Sequence, residues 1–255
     1  MILTDTHTHL YYEQDPLALT QLMQRALGAG VSRLFLPNVD VVSIPLVMNL
    51  AKLYPENCFT MLGLHPCDVK DNFEAVLRQI AEEIPKQKIY AIGEIGIDLY
   101  WDKSTLPQQI KAFKTQIAWA KSLNLPIVIH CREAFDEVYQ VLLEEHDEHL
   151  RGIFHCFTGT LEQARQIIDL GFYLGIGGVV TYKNAGLDQV VAQIPLQWLV
   201  LETDSPYLAP VPYRGKPNES SFLVHIAQKV ADLHQISLAR LADITTQNSQ
   251  KIFGI

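Results

Sequence analysis

The stretch MILTDTHTHLYY, Met1 to Tyr12, decides between two folds. A short apolar start, Ile2–Leu3, gives way at once to polar residues that alternate: Asp5, Thr6, His7, Thr8, His9. In an open doubly wound sheet the turn after the first strand carries a glycine-rich phosphate loop. Here THTHLYY fills that turn and holds no glycine. Side chains alternate across an extended segment, so His7 and His9 share one face while Thr6 and Thr8 take the other.

Working outward, apolar runs recur at Leu34–Pro37, Phe59–Leu64, Ile89–Ile95, Ile127–Ile129, Ile153–Phe154, Phe172–Ile176 and Trp198–Leu201. With Ile2–Leu3 they make eight candidate strands. Amphipathic stretches separate them. Ile110, Phe113, Ile117 and Ala120 keep one helix face apolar, as do Leu187, Val190, Val191 and Ile194. Continuous apolar strands parted by helices imply a parallel sheet covered on both faces. Eight such units in 255 residues predict an α/β chain folded as a (β/α)8 TIM barrel, one domain over residues 1–255.

Composition narrows the setting. Hydrophobic residues make up 48% of the chain, enough for a sizeable core. No apolar run reaches membrane-span length, and with no basic region and no cleavage site at the N-terminus no secretory leader is expected. Four cysteines without a CxxC spacing point to free thiols and a cytoplasmic location. The net charge of −8, with no Lys/Arg cluster, gives poor long-range attraction to nucleic acid. A phosphate ester bound by this chain would therefore depend on metal ions. No membrane and no obligate protein partner is expected.

A barrel gathers its chemistry at the C-terminal ends of its strands. Those ends read DTHTH, GLHP, GEIGID, VIHCRE, FHCFTG and LETDSP, placing His7, His9, His65, Glu94, Asp98, His130, Arg132, His155, Glu202 and Asp204 at one rim. The chain has nine histidines, and His7, His9, His65, His130 and His155 all fall there. Alternation turns Cys131 and Cys156 away from the faces of His130 and His155, so the thiols are expected to pack against the helix layer. Imidazole with carboxylate suits divalent ions such as Zn²⁺ or Mn²⁺ without thiolate. Asp5 and Glu202 are expected to support the site, because ligands need partners of their own. His146 and His149 belong to a solvated helix end. Gly175–Gly178 fits close backbone approach at the mouth better than a nucleotide loop. Ser205 has no matching triad.

Taken in order, DTHTHL, GLHP, GEIGID, LPIVIHCREA, FHCFTG, LETDSPYLAP and RGKPNES resemble the TatD family of metal-dependent hydrolases, among the amidohydrolase-like barrels. The resemblance runs essentially the whole chain. It departs at Thr8, at LYWDKS after Asp98 and at Ser220, none of them a proposed ligand. It implies two divalent metal cations per subunit, Mg²⁺, Mn²⁺ or Zn²⁺. His7, His9, Glu94 and Asp204 would hold one, and Glu94, His130 and His155 the other, with Glu94 bridging. It also implies a deoxyribonuclease of the 3′→5′ exonuclease type, cleaving phosphodiester bonds with a metal-activated water and taking DNA ends or a small phosphate ester. In that reading Asp204 and Glu94 are catalytic, with Asp204 the proton acceptor. His65, Arg132 and Arg214 contact substrate, and one of Tyr100, Trp101 and Tyr207 is expected to stack on a base. Two alternatives are an amidohydrolase-type enzyme cleaving a small amide, lactone or phosphate ester, and a non-catalytic metal-binding protein.

Overall fold

The computed structural model describes all of residues 1–255. Eight parallel strands lie side by side in chain order: β1 Leu3–Asp5, β2 Val31–Pro37, β3 Cys58–Leu62, β4 Ala91–Asp98, β5 Ile127–Arg132, β6 Gly152–Phe154, β7 Tyr173–Ile176 and β8 Leu199–Leu201. Beyond β1 the chain stays extended, and this closes the ring. The Thr6 amide donates to the Leu201 carbonyl (3.0 Å), the Thr8 amide to Phe35 (3.1 Å), and Thr8 bridges in parallel to Ser205. The fold is the TIM barrel expected from the strand and helix pattern.

Helices cover the outside: α1 Pro16–Gly28, α2 Ile44–Leu53, α3 Phe73–Glu83, α4 Leu106–Leu123, α5 Phe135–Glu145, α6 Leu161–Asp169, α7 Leu187–Val191, α8 Leu223–Leu233 and α9 Leu238–Phe253. Local chemistry sets their ends. The Asp15 carboxylate caps α1 by accepting from the Ala18 amide, and Pro16 begins it. Thr160 and Gln163 form a reciprocal capping box on α6. The α7 helix is shorter than its apolar spacing predicts. It ends at Val191, before Pro195, and Ile194 is buried from the following turn.

Two cores follow from strand alternation. The larger lies between strands and helices and includes Leu34, Leu62, Ile129, Leu174 and Leu201. The smaller fills the barrel with Phe35, Met61, Ala91, Val128, Ile153 and Val200, and the end of α9 seals it with Ile252 and Phe253. The Phe35 and Phe253 rings stack with centroids 3.7 Å apart. This dry plug occupies the early part of the strands. Two residues beyond Val128, Ile153 and Val200 the interior positions pass to His130, His155 and Glu202 of the polar rim.

One glycine on the path to the rim is obligatory. Gly96 has φ +144°, and a Cβ there would sit 2.0 Å from the His130 carbonyl oxygen, so β4 and β5 can be this close only without a side chain.

Phe35→Ala removes the centre of the plug far from the rim. It should cost about 3–5 kcal/mol in urea-unfolding stability. A loss below about 1 kcal/mol would mean that the barrel interior does not depend on this stack.

Candidate metal centre

Period-two alternation delivers the rim residues. Val128 and His130 lie on one face of β5, Ile153 and His155 on one face at β6, and Val200, Glu202 and Asp204 on one face at β8. In each case an apolar side chain in the plug is followed by a polar one above it. Asp204 itself has φ +54°, a left-handed conformation that Asp tolerates better than most residues.

Glu94, on β4, stands at the centre with only 3% of its side chain exposed. Its two oxygens face two different groups. Oε2 lies 3.2 Å from His7 Nε2 and 3.7 Å from His9 Nε2. Asp204 Oδ1 completes that side, 3.5 Å from His9 Nε2 and 3.8 Å from His7 Nε2. Oε1 lies 2.8 Å from His130 Nδ1, 2.9 Å from His155 Nε2 and 3.4 Å from His65 Nε2. The structure thus brings together His7, His9, Glu94, His130, His155 and Asp204, and it adds His65 to the same cluster.

Electrostatics follow from this crowding. Burial opposes charge on Glu94, but His155, His65 and His7 outweigh it and hold its carboxyl well below the usual range. Burial also opposes charge on His155, yet Glu94 and Glu202 push its pKa well above the ordinary imidazole value. Burial and the neighbouring His155 ring, stacked on it at 3.8 Å, push His7 down. Asp204 is held low, its burial outweighed by His9, His155 and His7.

The donor set fits divalent cations. His7 Nε2 and His9 Nε2 are 3.3 Å apart and both face the same carboxylate oxygen. Five imidazole nitrogens converge on one carboxylate that offers about four lone-pair sites. Hydrogen bonds alone do not satisfy that arrangement, whereas nitrogen and oxygen lone pairs aimed at shared points do suit metal ions. Three sets of side chains meet the spacing of metal ligands: His7, His9 and Glu94; His7, His155 and Asp204; and His65, Glu94 and His130.

Outer partners orient the rings. His130 turns Nδ1 to Glu94 and Nε2 to Asp98 Oδ2 (2.8 Å), whose own pKa falls to about 2; burial there is outweighed by the His130 bond. His155 Nδ1 lies 3.3 Å from Glu202 Oε1, without hydrogen-bond alignment. His9 Nδ1 meets the buried Tyr11 hydroxyl at 2.9 Å; with that oxygen accepting, Nε2 keeps its lone pair toward Glu94 and Asp204. Asp5 sits lower, accepting from the Thr203 amide (2.9 Å) and hydroxyl (2.6 Å), and so ties β1 to the end of β8. The roles of Asp98 and Tyr11 are not among those expected from the sequence. Each shares the parity of a rim residue, Asp98 that of Glu94 and Tyr11 that of His9, and this was the available signal.

Above the cluster opens a cavity of about 680 Å³ lined by His9, Tyr12, His65, Glu94, Asp98, Trp101, His130, Arg132, Asp204 and Tyr207, among others. Of the three residues expected at substrate, His65 and Arg132 line it. Arg214 does not: its guanidinium lies over the Tyr182 ring at 4.4 Å. Arg132 has no carboxylate partner, since Glu202 faces His155; its guanidinium rests on Tyr100, 3.8 Å from the ring centroid. Cys131 packs partly against the outer core, but both it and Cys156 also reach the cavity wall, so the helix-layer expectation holds only for part of Cys131. Close approach explains Gly175 within β7 and Gly178 just after it, while Gly177 has room for a side chain. A Cβ on Gly175 would lie 2.2 Å from Glu202 Oε2, and one on Gly178 2.0 Å from the Leu208 carbonyl.

A parallel eight-stranded barrel with this cluster at its C-terminal mouth defines the class of metal-dependent hydrolase barrels. Comparison narrows the class. Residues 4–254 match the family described as TatD related DNase, and the chain belongs to that family. It is 41% identical over 255 residues to the uncharacterized metal-dependent hydrolase YabD of Bacillus subtilis, covering 100% of each chain. It is 36% identical over 241 residues to the 3′-5′ ssDNA/RNA exonuclease TatD of Escherichia fergusonii, covering 92% of each. The crystal structure of YJJV, a TatD homolog from Escherichia coli, superposes with a TM-score of 0.93 at 28% identity, covering 99% of this chain and 98% of that one. The protein is therefore a metal-dependent hydrolase. No helix is long and apolar enough to cross a membrane.

If Asp98 orients His130, then Asp98→Asn, which keeps shape but removes charge, should weaken divalent-ion binding about tenfold or more with the fold intact. Calorimetric titration with Mn²⁺ checks this. Unchanged affinity would assign Asp98 to the loop alone.

Proposed function

We propose that this chain is a divalent-metal-dependent nuclease that hydrolyses phosphodiester bonds at the ends of DNA strands, of the 3′→5′ exonuclease type. The observation that carries this reading is the division of the Glu94 carboxylate, with one oxygen toward His7 and His9 and the other toward His130 and His155. A carboxylate used from both sides suits a pair of ions. In this assignment His7, His9, Glu94 and Asp204 hold one cation, and Glu94, His130 and His155 the second. Mg²⁺, Mn²⁺ and Zn²⁺ are all compatible with nitrogen and oxygen donors. When bound, such ions make water acidic near neutral pH and polarise a phosphoryl oxygen.

The chain's own residues supply the rest. Asp204 is held ionised, and its side chain, 14% exposed, opens to the cavity, so it is placed to take a proton from the attacking water. Arg132 presents its planar fork, free of any carboxylate, to substrate phosphate oxygens. Asp98 and Tyr11 hold the His130 and His9 rings in orientation, which is the preorganisation phosphoryl transfer depends on. The cytoplasm is the proposed location, on the strength of the four free thiols. The 3′-5′ ssDNA/RNA exonuclease relative supports nucleic acid over a small amide or lactone.

The reading is tested with a 5′-labelled single-stranded oligonucleotide, supplied with Mg²⁺, Mn²⁺ or Zn²⁺ in turn. Metal-dependent shortening from the 3′ end is expected. Glu94→Gln and Asp204→Asn should each reduce it at least ~100-fold. Intact DNA under every metal, beside turnover of a small ester or amide, would replace this reading with the amidohydrolase-type one.

A further inference from the structure

The mouth of the cavity carries an aromatic surface that the metal cluster does not account for. Trp101 is 71% exposed, and Tyr100 beside it 48%. An indole so exposed gains little from burial, and here it stands on the wall of the reaction cavity. Its backbone is nonetheless held in place. Asp98 Oδ1 accepts from the Tyr100 amide (2.9 Å) and the Trp101 amide (3.3 Å), while Oδ2 of the same carboxylate holds His130. Gln109 clamps the Asp98 backbone in turn, accepting from its amide (2.8 Å) and donating to its carbonyl (3.0 Å). The Tyr100 and Trp101 rings meet edge to face at 4.8 Å. Arg132, paired across the strands with Asp98, lays its guanidinium over Tyr100 at 3.8 Å and reaches within 5.7 Å of Trp101. One carboxylate thus ties the backbone beneath the exposed indole to the His130 side of the cluster, and strand pairing sets a free guanidinium beside them.

We propose that Trp101, held by Asp98 and backed by Tyr100 and Arg132, is a stacking platform for an unpaired nucleobase of the substrate strand, and so a specificity-determining residue of this enzyme. This rests on the nuclease reading and adds to it the group that grips the strand. The global charge of −8 gives little general attraction for a polyanion. Stacking supplies affinity without it, because every base has a π face. The guanidinium meets the adjoining phosphate while the indole meets the base. A base already stacked inside a duplex has no free face to offer, so the platform selects unpaired ends.

The test separates binding from turnover. The metal-loaded protein is titrated with an oligo(dT) whose linkages are phosphorothioate, while tryptophan emission is followed. Trp119 and Trp198 are half-buried, so quenching reports chiefly on Trp101. Wild type should be quenched, and a blunt hairpin should quench it far less. In Trp101→Ala the quenching should vanish, and the Kd from anisotropy of a labelled oligo(dT) should rise roughly five- to hundredfold. Trp101→Phe should restore most of the affinity. With cleavable oligonucleotide, Trp101→Ala should raise KM far more than it lowers kcat, the mark of lost binding common to ground and transition state. Wild-type emission unmoved by oligo(dT), or equal Kd in Trp101→Ala, overturns the platform. Trp101-dependent binding without cleavage under any metal leaves the platform standing and overturns the nuclease reading instead.

Discussion

One buried carboxylate, that of Glu94, faces five imidazole rings, and the upper half of the barrel is arranged around that convergence. An isolated charge buried at this depth would be very costly. Here the surrounding rings keep it ionised, and their outer nitrogens reach further acids or a hydroxyl: Asp98 behind His130, Glu202 beside His155, Tyr11 behind His9. Outer carboxylate partners of this kind raise the basicity of imidazoles that bind metal. The network is anchored in the sheet itself, since Asp98 and Glu202 stand at the ends of β4 and β8. Glu94 and His130 stand within β4 and β5, and the other members of the cluster follow closely on strand ends.

The barrel makes this possible by segregation. Phe35, Val128, Ile153 and Val200 keep the lower interior dry, and Phe253 of α9 closes it. The same strand faces continue upward into His130, His155, Glu202 and Asp204. A shift of one residue in any of these strands would exchange its core residue for one meant to face the helices. Stability and site geometry thus rest on the same alternation. At β4 the pattern is broken by a register irregularity between Ile92 and Ile95, which carries Glu94 to the centre, and Gly96 lets the strand return against β5.

That alternation is why so much was legible in the sequence. The eight apolar runs fall on the eight strands, and the parity of DTHTHL, VIHCRE and LETDSP places His7, His9, His130, Glu202 and Asp204 on inward faces. Contacts that depend on loop trajectory were not legible. Arg214 shares the rim in sequence order, but the turns after β8 lay it over Tyr182. His65 follows β3 and reaches inward to Glu94, a depth no spacing rule gives. Tyr11 lies in a turn after the extended segment, and its bond to His9 depends on that turn's path. The tie from Asp98 to Trp101 depends likewise on a tight turn beyond β4.

The central claim is that Glu94 joins two cation positions, and anomalous diffraction from crystals grown with Mn²⁺ tests it most directly. The account predicts two peaks about 3.5–4 Å apart, one on each Glu94 oxygen, with His7 and His9 on one side and His130 and His155 on the other. A single peak, or a pair that leaves Glu94 uncoordinated, would contradict it.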